Sequence, residues 1–380
     1  MIRTAPAHVW AFDLEWVPDT AGGRRAYNLP PDMPDADVFA AMWAAGGAVV
    51  VYSARKVRSE LDESKIPLMG VAGAFVFAAQ MLNFAIPGTG SSGHLGGALL
   101  LAILLGPEAA FLVMASILAV QALFFADGGL LALGCNMINM GFFSAFVAYP
   151  LVYRRIVGDG PELSPGRVFT GSVLAAVVGL ALGAFAVVLE TTASGITELP
   201  FGTFVALMEP IHLVIGVVEG LVTAAVVLFV YRTQPELLVR SAARQPLRGL
   251  RLKPVLIGLG VAAVVAGVAL SWFAATSLDG LEWSIARTVG AEEELTATSS
   301  AHEAAAGVQE GTAILPDYGF KEGAAVEEEE AGDGAPVWPA VDVGTSVSGL
   351  VGGAIVAGLV ILIGFVLYRR SAHRREDAHA

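Results

Sequence analysis

A few polar side chains lie within or beside the long apolar stretches of this sequence, where such groups are rare and often functional. His94 opens an apolar run directly after a stretch rich in small residues, PGTGSSGHLGG (87–97). An imidazole in this position either binds an ion such as Co²⁺, Ni²⁺, Cu²⁺ or Zn²⁺ or forms a hydrogen bond to a neighbouring helix. The spacing alone leaves both interpretations open.

Two further polar sets follow along the chain. Asn136 and Asn139 are three residues apart and therefore share a helix face, from which they either orient a ligand histidine or join two helices. Cys135 is a weak candidate ligand and is more typical of a small packed residue. His212 and Glu219 are seven residues apart on one face of another apolar run. They form a relay, a second metal site or a structural pair with a partner helix.

A different chemistry is suggested by the opening segment, AHVWAFDLEWVPDT (7–20). Asp13 and Glu15 form the acid-x-acid pattern with which some nucleases hold catalytic metal ions. Carboxylate oxygens suit harder ions and match selectivity for Ni²⁺ or Co²⁺ poorly.

The composition indicates what must position these residues. The chain has 380 residues, of which 55% are hydrophobic and 15% charged, with a mean hydropathy of +0.67. Soluble domains carry roughly a quarter charged residues, so we predict an all-α polytopic membrane protein. About nine membrane segments, seven plus two, are predicted, and the short run 94–106 must count as a crossing. The apolar runs are 38–54, 66–87, 94–106, 108–126, 131–153, 168–190, 204–231, 253–274 and 346–368.

The distribution of charge predicts the orientation. Four basic clusters fall between or after these runs, and the positive-inside rule places all four in the cytoplasm together with the C-terminus. The acidic segment 290–343 then lies outside, and its Ala, Glu, Gly and Pro content predicts disorder. The basic residues are Arg55, Lys56, Arg58 and Lys65; Arg154, Arg155 and Arg167; Arg232, Arg240, Arg244, Arg248, Arg251 and Lys253; and Arg369, Arg370, Arg374 and Arg375.

Several functions are excluded by the residues present. None of the four lysines stands in a G-x-x-x-x-G-K-[ST] motif, so the chain does not hydrolyse ATP by a P-loop and we expect no enzyme activity. A single cysteine rules out an intrachain disulfide framework and any multi-Cys metal site.

Two stretches carry a family resemblance. One begins KIPLMGVAGAFVFAAQMLNFAIPGTGSSGHLGGALL, continues to GCNMINMGFF and closely resembles the CbiM/NikM family. The other, EPIHLVIGVVEGLVTAAVV, fits the same family. These proteins are substrate-binding membrane components of cobalt and nickel energy-coupling-factor (ECF) ABC transporters. The segment 253–368 resembles the CbiN/NikN-like partner with its PDGLE motif, which reads LDGLE here (278–282). LPDYGF (315–320) and GTSVSGLVGG (344–353) also fit that partner.

The resemblance implies a function and a ligand set. It implies capture of Co²⁺ or Ni²⁺ as cargo, with no bound cofactor, in the bacterial inner membrane. The implied partners are a CbiQ/NikQ-like scaffold, CbiO/NikO-like cytoplasmic ATPases and the lipid bilayer, with no nucleic acid. In the family, a loop imidazole, matched here by His94, joins the N-terminal amine and the amide and imidazole of a histidine at position two. This sequence begins Met-Ile and contains no Met-His pair, which predicts weaker binding or, alternatively, a non-binding interaction remnant.

The opening stretch resembles the start of a DnaQ-like, DEDD-type 3′–5′ exonuclease, with Asp13 and Glu15 as its first metal-binding acids. About forty residues are too few for that fold, so we expect no nuclease activity, and an exonuclease fragment is a remote alternative. We predict a junction of unrelated reading frames near residues 38–43, between the first two parts of the chain. The predicted organisation comprises an incomplete exonuclease-like fragment (1–37), a CbiM-like membrane domain (38–231), a basic cytoplasmic linker (232–252), a two-span PDGLE/CbiN-like domain (253–368) and a basic cytoplasmic tail (369–380).

Overall fold

The structure is a computed structural model that describes residues 35–158, 160, 162–194, 200–275, 277–289, 300–320, 339 and 341–377. The described residues are mostly helical, with one short hairpin in which β1 (Phe84–Ile86) pairs antiparallel with β2 (Ser91–Gly93). The α-helices are α1 Asp35–Glu60, α2 Ile66–Gln80, α3 Ala98–Leu105, α4 Pro107–Val120, α5 Leu133–Asn136, α6 Arg154–Val157, α7 Pro165–Ser194, α8 Phe201–Thr233, α9 Pro235–Ala242, α10 Lys253–Val264, α11 Gly280–Val289, α12 Ser300–Thr312 and α13 Val343–Asp377.

Three of these helices continue with a different winding. A π-helical turn, Gln121–Phe125, extends α4, and the π-helix Met137–Tyr153 joins α5 to α6. The π turn Val265–Ala269 and the 3₁₀ turn Leu270–Phe273 extend α10. Such wide turns release backbone carbonyls from the regular helical pattern, and they occur often at functional sites.

Seven helical segments within the described residues are long and apolar enough to cross a membrane. The prediction of an all-α polytopic membrane protein is confirmed. The nine-segment count stays a prediction, because α2 has 15 residues and α3 has 8, and neither is a full span by itself. The run predicted at 66–87 becomes helical only to Gln80, and its end forms β1.

The short run 94–106 is an irregular loop followed by the half-length helix α3. Gly97 begins α3 with φ 82°, and Gly106 ends it with φ 80°, directly before Pro107 at the start of α4. A left-handed glycine after a helix and a proline at the start of the next one are typical helix boundaries, so the chain reverses here. The loop 94–97 is buried, as non-helical backbone inside a membrane protein must be.

The helices α7 and α8 pack closely against each other in the membrane domain. A Cβ added to Gly216 would lie 2.6 Å from Val177 Cα, and one added to Gly220 would lie 2.4 Å from Val173 Cα. Both glycines therefore allow the backbones to approach, as in other G-x-x-x-G pairs of membrane helices. This close pair forms one wall beside the loop 94–97.

One end of the bundle, here called the basic end, collects residues 56–65, 104–108, 154–158, 160, 163 and 238–247. Arg244 forms an ion pair of 2.9 Å with Glu108, and Ser241 Oγ donates to the carbonyl of Leu104 at 2.5 Å. Residues around Gly158 and Leu238 line a shared cavity. The C-terminal part of α13 is near this end too, because Gly364 packs against Ile66.

The opposite end, here called the hairpin end, collects residues 84–93, 127–133, 277–289 and 309–318. The N–H of Ser92 in β2 donates to the carbonyl of Leu278 at 2.7 Å, and the N–H of Leu130 donates to Gln309 Oε1 at 3.2 Å. The segment 94–106 starts at this end and reaches the basic end at Leu104. It therefore extends from the hairpin end to the basic end of the bundle.

Part of the acidic segment that composition predicts to be disordered is ordered. Residues 300–312 form α12, and 316–318 form a 3₁₀ turn that packs on the membrane domain. The N–H groups of Ile314 and Leu315 donate to the carbonyl of Phe124, which the π turn at the end of α4 leaves available. Tertiary hydrogen bonds of this kind order a sequence whose composition alone favours a solvated chain. Residues 321–338 lie outside the described ranges.

We expect the basic end to face the cytoplasm and the hairpin end to face outward. Single cysteines at two exposed positions test this in a Cys135→Ala background: Arg248→Cys at the basic end and Thr312→Cys at the hairpin end. In intact cells, a membrane-impermeant maleimide should label Thr312→Cys and spare Arg248→Cys. Permeabilised cells, in which both positions should react, are the control. The reverse pattern in intact cells would contradict the orientation.

Candidate functional site

His94 lies in the buried loop between β2 and α3, with 5% of its surface exposed. Its Nδ1 is 3.3 Å from the carbonyl of Leu95. A Cβ added to the preceding Gly93 would lie 2.5 Å from Ile215, so the loop is packed directly against α8. The imidazole therefore sits in a buried, non-helical segment surrounded by helices, which is a suitable place for an ion-binding group.

The carboxylate of Glu219 on α8 holds this loop. Glu219 Oε2 accepts a hydrogen bond of 2.7 Å from the N–H of Gly96, and Oε1 accepts one of 3.2 Å from the N–H of Gly97. Both N–H groups precede α3 and have no intrahelical acceptor. Because both oxygens of Glu219 are used in this way, the carboxylate positions the loop that carries His94.

Two glutamines fix the other side of the loop. Gln80 Nε2, at the end of α2, donates to the carbonyl of Gly96 at 2.8 Å. Gln121 Nε2 donates to Gln80 Oε1 at 3.0 Å. Gln121 opens the π turn of α4, so the winding of that helix sets the position of the amide that supports Gln80.

His212, the other polar residue of the predicted pair on α8, lies against its own helix and the LDGLE motif. Its Nδ1 is 2.8 Å from the carbonyl of Met208, one turn earlier on α8. A Cβ added to Gly280 would lie 3.4 Å from His212 Cε1 and 2.8 Å from Ile211 Cγ2. The imidazole therefore faces the backbone of the LDGLE motif, while Glu219, two turns further on, faces the loop 94–97.

The LDGLE motif forms the N-terminal cap of α11. Asp279 Oδ1 accepts hydrogen bonds from the N–H groups of Leu281 at 2.8 Å and Glu282 at 2.9 Å, and Glu282 Oε2 accepts one from the N–H of Asp279 at 3.2 Å. This reciprocal arrangement is a capping box. The carbonyl of Leu278, just before the cap, accepts the hydrogen bond from Ser92. The motif thus begins α11 and connects it, through the carbonyl of Leu278, to β2, the strand that precedes His94.

The predicted pair Asn136 and Asn139 lies next to a carboxylate that sequence reasoning missed. Asn139 Nδ2 donates to Glu190 Oε2 on α7 at 2.9 Å, and the thiol of Cys135 also forms a hydrogen bond with Glu190. The polar position of Glu190 near the end of an apolar run, and its spacing from the following loop, are the signals that could have revealed it. Gln80, at the end of another run, was missed in the same way.

The structure brings together His94 and Glu219, through the loop between them, and places His212 beside the LDGLE motif. Within the described ranges, no three His, Cys, Asp or Glu side chains converge as a metal site. Asp13 and Glu15 lie outside the described residues.

Comparison with protein families gives two matches. The model of the cobalt uptake substrate-specific transmembrane region, CbiM, matches residues 28–237, which is more than half of the chain. The chain belongs to the CbiM family. A second model, the PDGLE domain, matches residues 253–369 of this CbiM-family protein. Its LDGLE capping box and the helix α10 lie within this second match, and so does α13 up to residue 369.

Named relatives match either most of the chain or about half of it. The fused nickel transport protein NikMN of Rhodobacter capsulatus is 34% identical in an alignment 342 residues long, which covers 84% of this chain and 92% of that protein. The cobalt transport protein CbiM of Geobacter sulfurreducens is 32% identical in an alignment 213 residues long, which covers 53% of this chain and 59% of that protein. A solved transition metal transporter is 32% identical, covers 58% of this chain and 99% of its own, and has a TM-score of 0.47.

The family match begins at residue 28, ten residues before the predicted junction, and includes the sequence PDMPDADVFAAMW (31–43). It therefore covers part of the stretch whose beginning resembles an exonuclease. That resemblance finds no support among these relatives.

The contact between Glu219 and the loop generates a stability prediction. Glu219→Leu leaves the N–H groups of Gly96 and Gly97 buried without an acceptor, at a cost of about 1–3 kcal/mol for each group. Thermal unfolding in detergent, followed by tryptophan fluorescence, should show a clear loss of stability. Glu219→Gln retains one acceptor oxygen and should therefore lose less stability than Glu219→Leu.

Glu236→Leu is the matched control, because this carboxylate is exposed on α9 and pairs only with Arg240. The free energy of unfolding of Glu236→Leu should stay within about 0.5 kcal/mol of that of the unchanged protein. Equal stability of Glu219→Leu and Glu236→Leu would contradict the role of Glu219.

The contact between the LDGLE motif and α8 generates a second prediction. Gly280→Val places side-chain atoms against Ile211 and His212, so residues 277–289 should move away from the membrane domain. Trypsin cleavage after Arg287, which is exposed, should then become faster in the purified protein. Gly307→Val is the control, since a Cβ at Gly307 meets no atom within 4 Å. Unchanged cleavage of Gly280→Val would show that the contact does not hold the segment.

Proposed function

We propose that this protein is the membrane-embedded substrate-capture component of an ECF-type ABC transporter that imports Co²⁺ or Ni²⁺. The ion is the cargo, and no resident cofactor is assigned. The proposal rests on one structural observation above the others: a buried histidine on a non-helical loop that a buried carboxylate holds in place. The names of the fused nickel and cobalt relatives support the choice of ion.

We assign His94 as an imidazole ligand of the ion. Imidazole nitrogen suits Co²⁺ and Ni²⁺, and a ligand on short, rigidly held backbone loses little freedom when the ion binds. Glu219 and Gln80 are assigned positioning roles, because their polar atoms are engaged by the backbone of Gly96 and Gly97. His212, whose ring lies against Gly280, is assigned to the contact with the PDGLE domain.

Energy for transport is assigned to partner subunits. The sequence has no P-loop, so a CbiQ/NikQ-like membrane scaffold and CbiO/NikO-like ATPases would drive release of the ion into the cytoplasm. The basic end, with the exposed side chains of Arg232, Arg248 and Arg251, is the expected cytoplasmic face. Arg369 and Arg370, in the C-terminal part of α13, lie toward the same side. We assign the protein to the inner membrane with its C-terminus inside, and the asymmetry of the basic residues supports this assignment.

The role of His94 predicts a specific loss of metal binding. Titration calorimetry of the full chain in detergent with CoCl₂ and with NiCl₂ should show binding that His94→Gln weakens by about tenfold or more. His302→Gln, a change on α12, is the control and should bind as the unchanged protein does. Uptake of Co²⁺ by cells that also produce the scaffold and ATPase subunits should fall with His94→Gln alone.

Two results would contradict this function. Binding that His94→Gln does not alter would mean that another set of ligands holds the ion. No binding by the unchanged chain, together with normal assembly with the scaffold, would instead favour the alternative of an interaction component that binds no metal.

A further inference from the structure

A second group of potential ligands lies between α5 and α7, apart from the loop of His94. The carboxylate of Glu190 on α7 accepts a hydrogen bond from Asn139 Nδ2 at 2.9 Å and forms another with the thiol of Cys135. Asn136 and Asn139 are on successive turns of the same helical segment, which brings both amides to one face. These four side chains are 93–100% buried, with Glu190 at 7% exposure, Asn136 at 3%, and Asn139 and Cys135 at 0%.

The group contains an excess of hydrogen-bond acceptors. Glu190 Oε1, Asn136 Oδ1 and Asn139 Oδ1 are all buried, and none has a hydrogen-bond partner among the described residues. Buried polar atoms without partners are rare, and each normally costs about 1–3 kcal/mol. Here all three atoms are oxygens, so the group lacks a donor or a positive charge.

The charge of Glu190 also indicates that the group lacks a positive charge. In the part of the chain that the structure describes, no lysine, arginine or histidine forms an ion pair with this carboxylate. A buried carboxylate in a membrane protein requires a counter-charge or a proton. The hydrogen bonds from Asn139 and Cys135 stabilise the anion but do not neutralise it.

We propose that Glu190, Cys135, Asn136 and Asn139 form a second binding site for a divalent transition metal ion. The carboxylate and the amide oxygens supply three ligands, and the sulfur of Cys135 supplies a fourth of the soft type that Co²⁺, Ni²⁺ and Zn²⁺ accept. When the ion binds, the S–H bond of Cys135 breaks, the proton leaves to solvent, and a sulfur–metal bond forms. Carboxylate and thiolate together balance the two positive charges of the ion.

A cation accounts for the observations better than a proton or a water molecule. A proton on Glu190 Oε1 would neutralise the charge and make that atom a donor to one amide oxygen, but the other amide oxygen would still have no partner. A water molecule has two hydrogens to donate, so it would satisfy two and leave the charge in place. A divalent cation contacts all three oxygens and supplies the missing charge.

The site is separate from the loop of His94. Leu180, on the same helix as Glu190, is the α7 residue against which Gly96 packs, and ten residues of helix place Glu190 about 15 Å further toward the hairpin end. The site therefore lies at the end by which an imported ion would enter. The inference does not depend on the proposed function of His94, since it uses different residues.

The test is titration of the reduced full chain in detergent with CoCl₂. A bond between Co²⁺ and a thiolate gives a charge-transfer absorption in the near ultraviolet, which imidazole and oxygen ligands do not give. The unchanged protein should develop this band and release one proton for each ion bound at the site, measured by calorimetry in buffers of different ionisation enthalpy. Cys135→Ser should abolish the band, and Glu190→Gln should weaken binding at this site by about ten- to a hundredfold.

The matched control is His94→Gln, which should keep the band while losing the binding assigned to His94. Absence of the band and of proton release in the unchanged protein would overturn the second site, and this result needs no variant to fold. A band that survives Cys135→Ser would also overturn it. Loss of all binding with His94→Gln would overturn the second site and leave the proposed function intact. Binding that depends on Cys135 and is unchanged by His94→Gln would support the second site and contradict the proposed role of His94.

Discussion

The hydrogen bonds from the N–H groups of Gly96 and Gly97 to the carboxylate of Glu219 are the interaction on which the membrane domain depends. A non-helical segment within a membrane protein has backbone groups that neither lipid nor water can satisfy. Glu219 satisfies two donors at once, and Gln80 satisfies the carbonyl of Gly96. Only with these acceptors and donors in place can α3 begin halfway across the bundle. The buried position of His94 follows from this arrangement.

The PDGLE domain is connected to the same region through backbone groups. Its capping box presents the carbonyl of Leu278 to Ser92, and Gly280 lies against His212. Further along, the hydroxyl of Tyr318 donates to Asp127, and the side chain also forms a hydrogen bond with Gln121. Burial raises the pKa of Tyr318 well above its ordinary value, so this hydroxyl remains a donor. Since Gln121 supports Gln80, the accessory domain contacts both ends of the network that holds the loop of His94.

Two buried carboxylates of this protein differ in how their charge is satisfied. Glu219 is surrounded by backbone N–H donors, which use both of its oxygens. Glu190 forms hydrogen bonds with the amide of Asn139 and the thiol of Cys135, and its own Oε1 has no partner among the described residues. The first arrangement completes the fold, whereas the second lacks a positive group. This difference in local donors is the physical basis for assigning a structural role to one carboxylate and an ion to the other.

The sequence by itself determined the membrane class, the common side of the basic clusters and the family of the chain, since apolar runs, charge asymmetry and the stretch around His94 are local properties of the residues. Only the tertiary structure decided that Glu219 faces Gly96 and Gly97 while His212 faces Gly280, and that Asn139 meets Glu190. It also ordered residues 300–318 against predicted disorder. The reason is that these contacts join groups far apart along the chain, and helical periodicity specifies a face of a helix but not the neighbour that covers it.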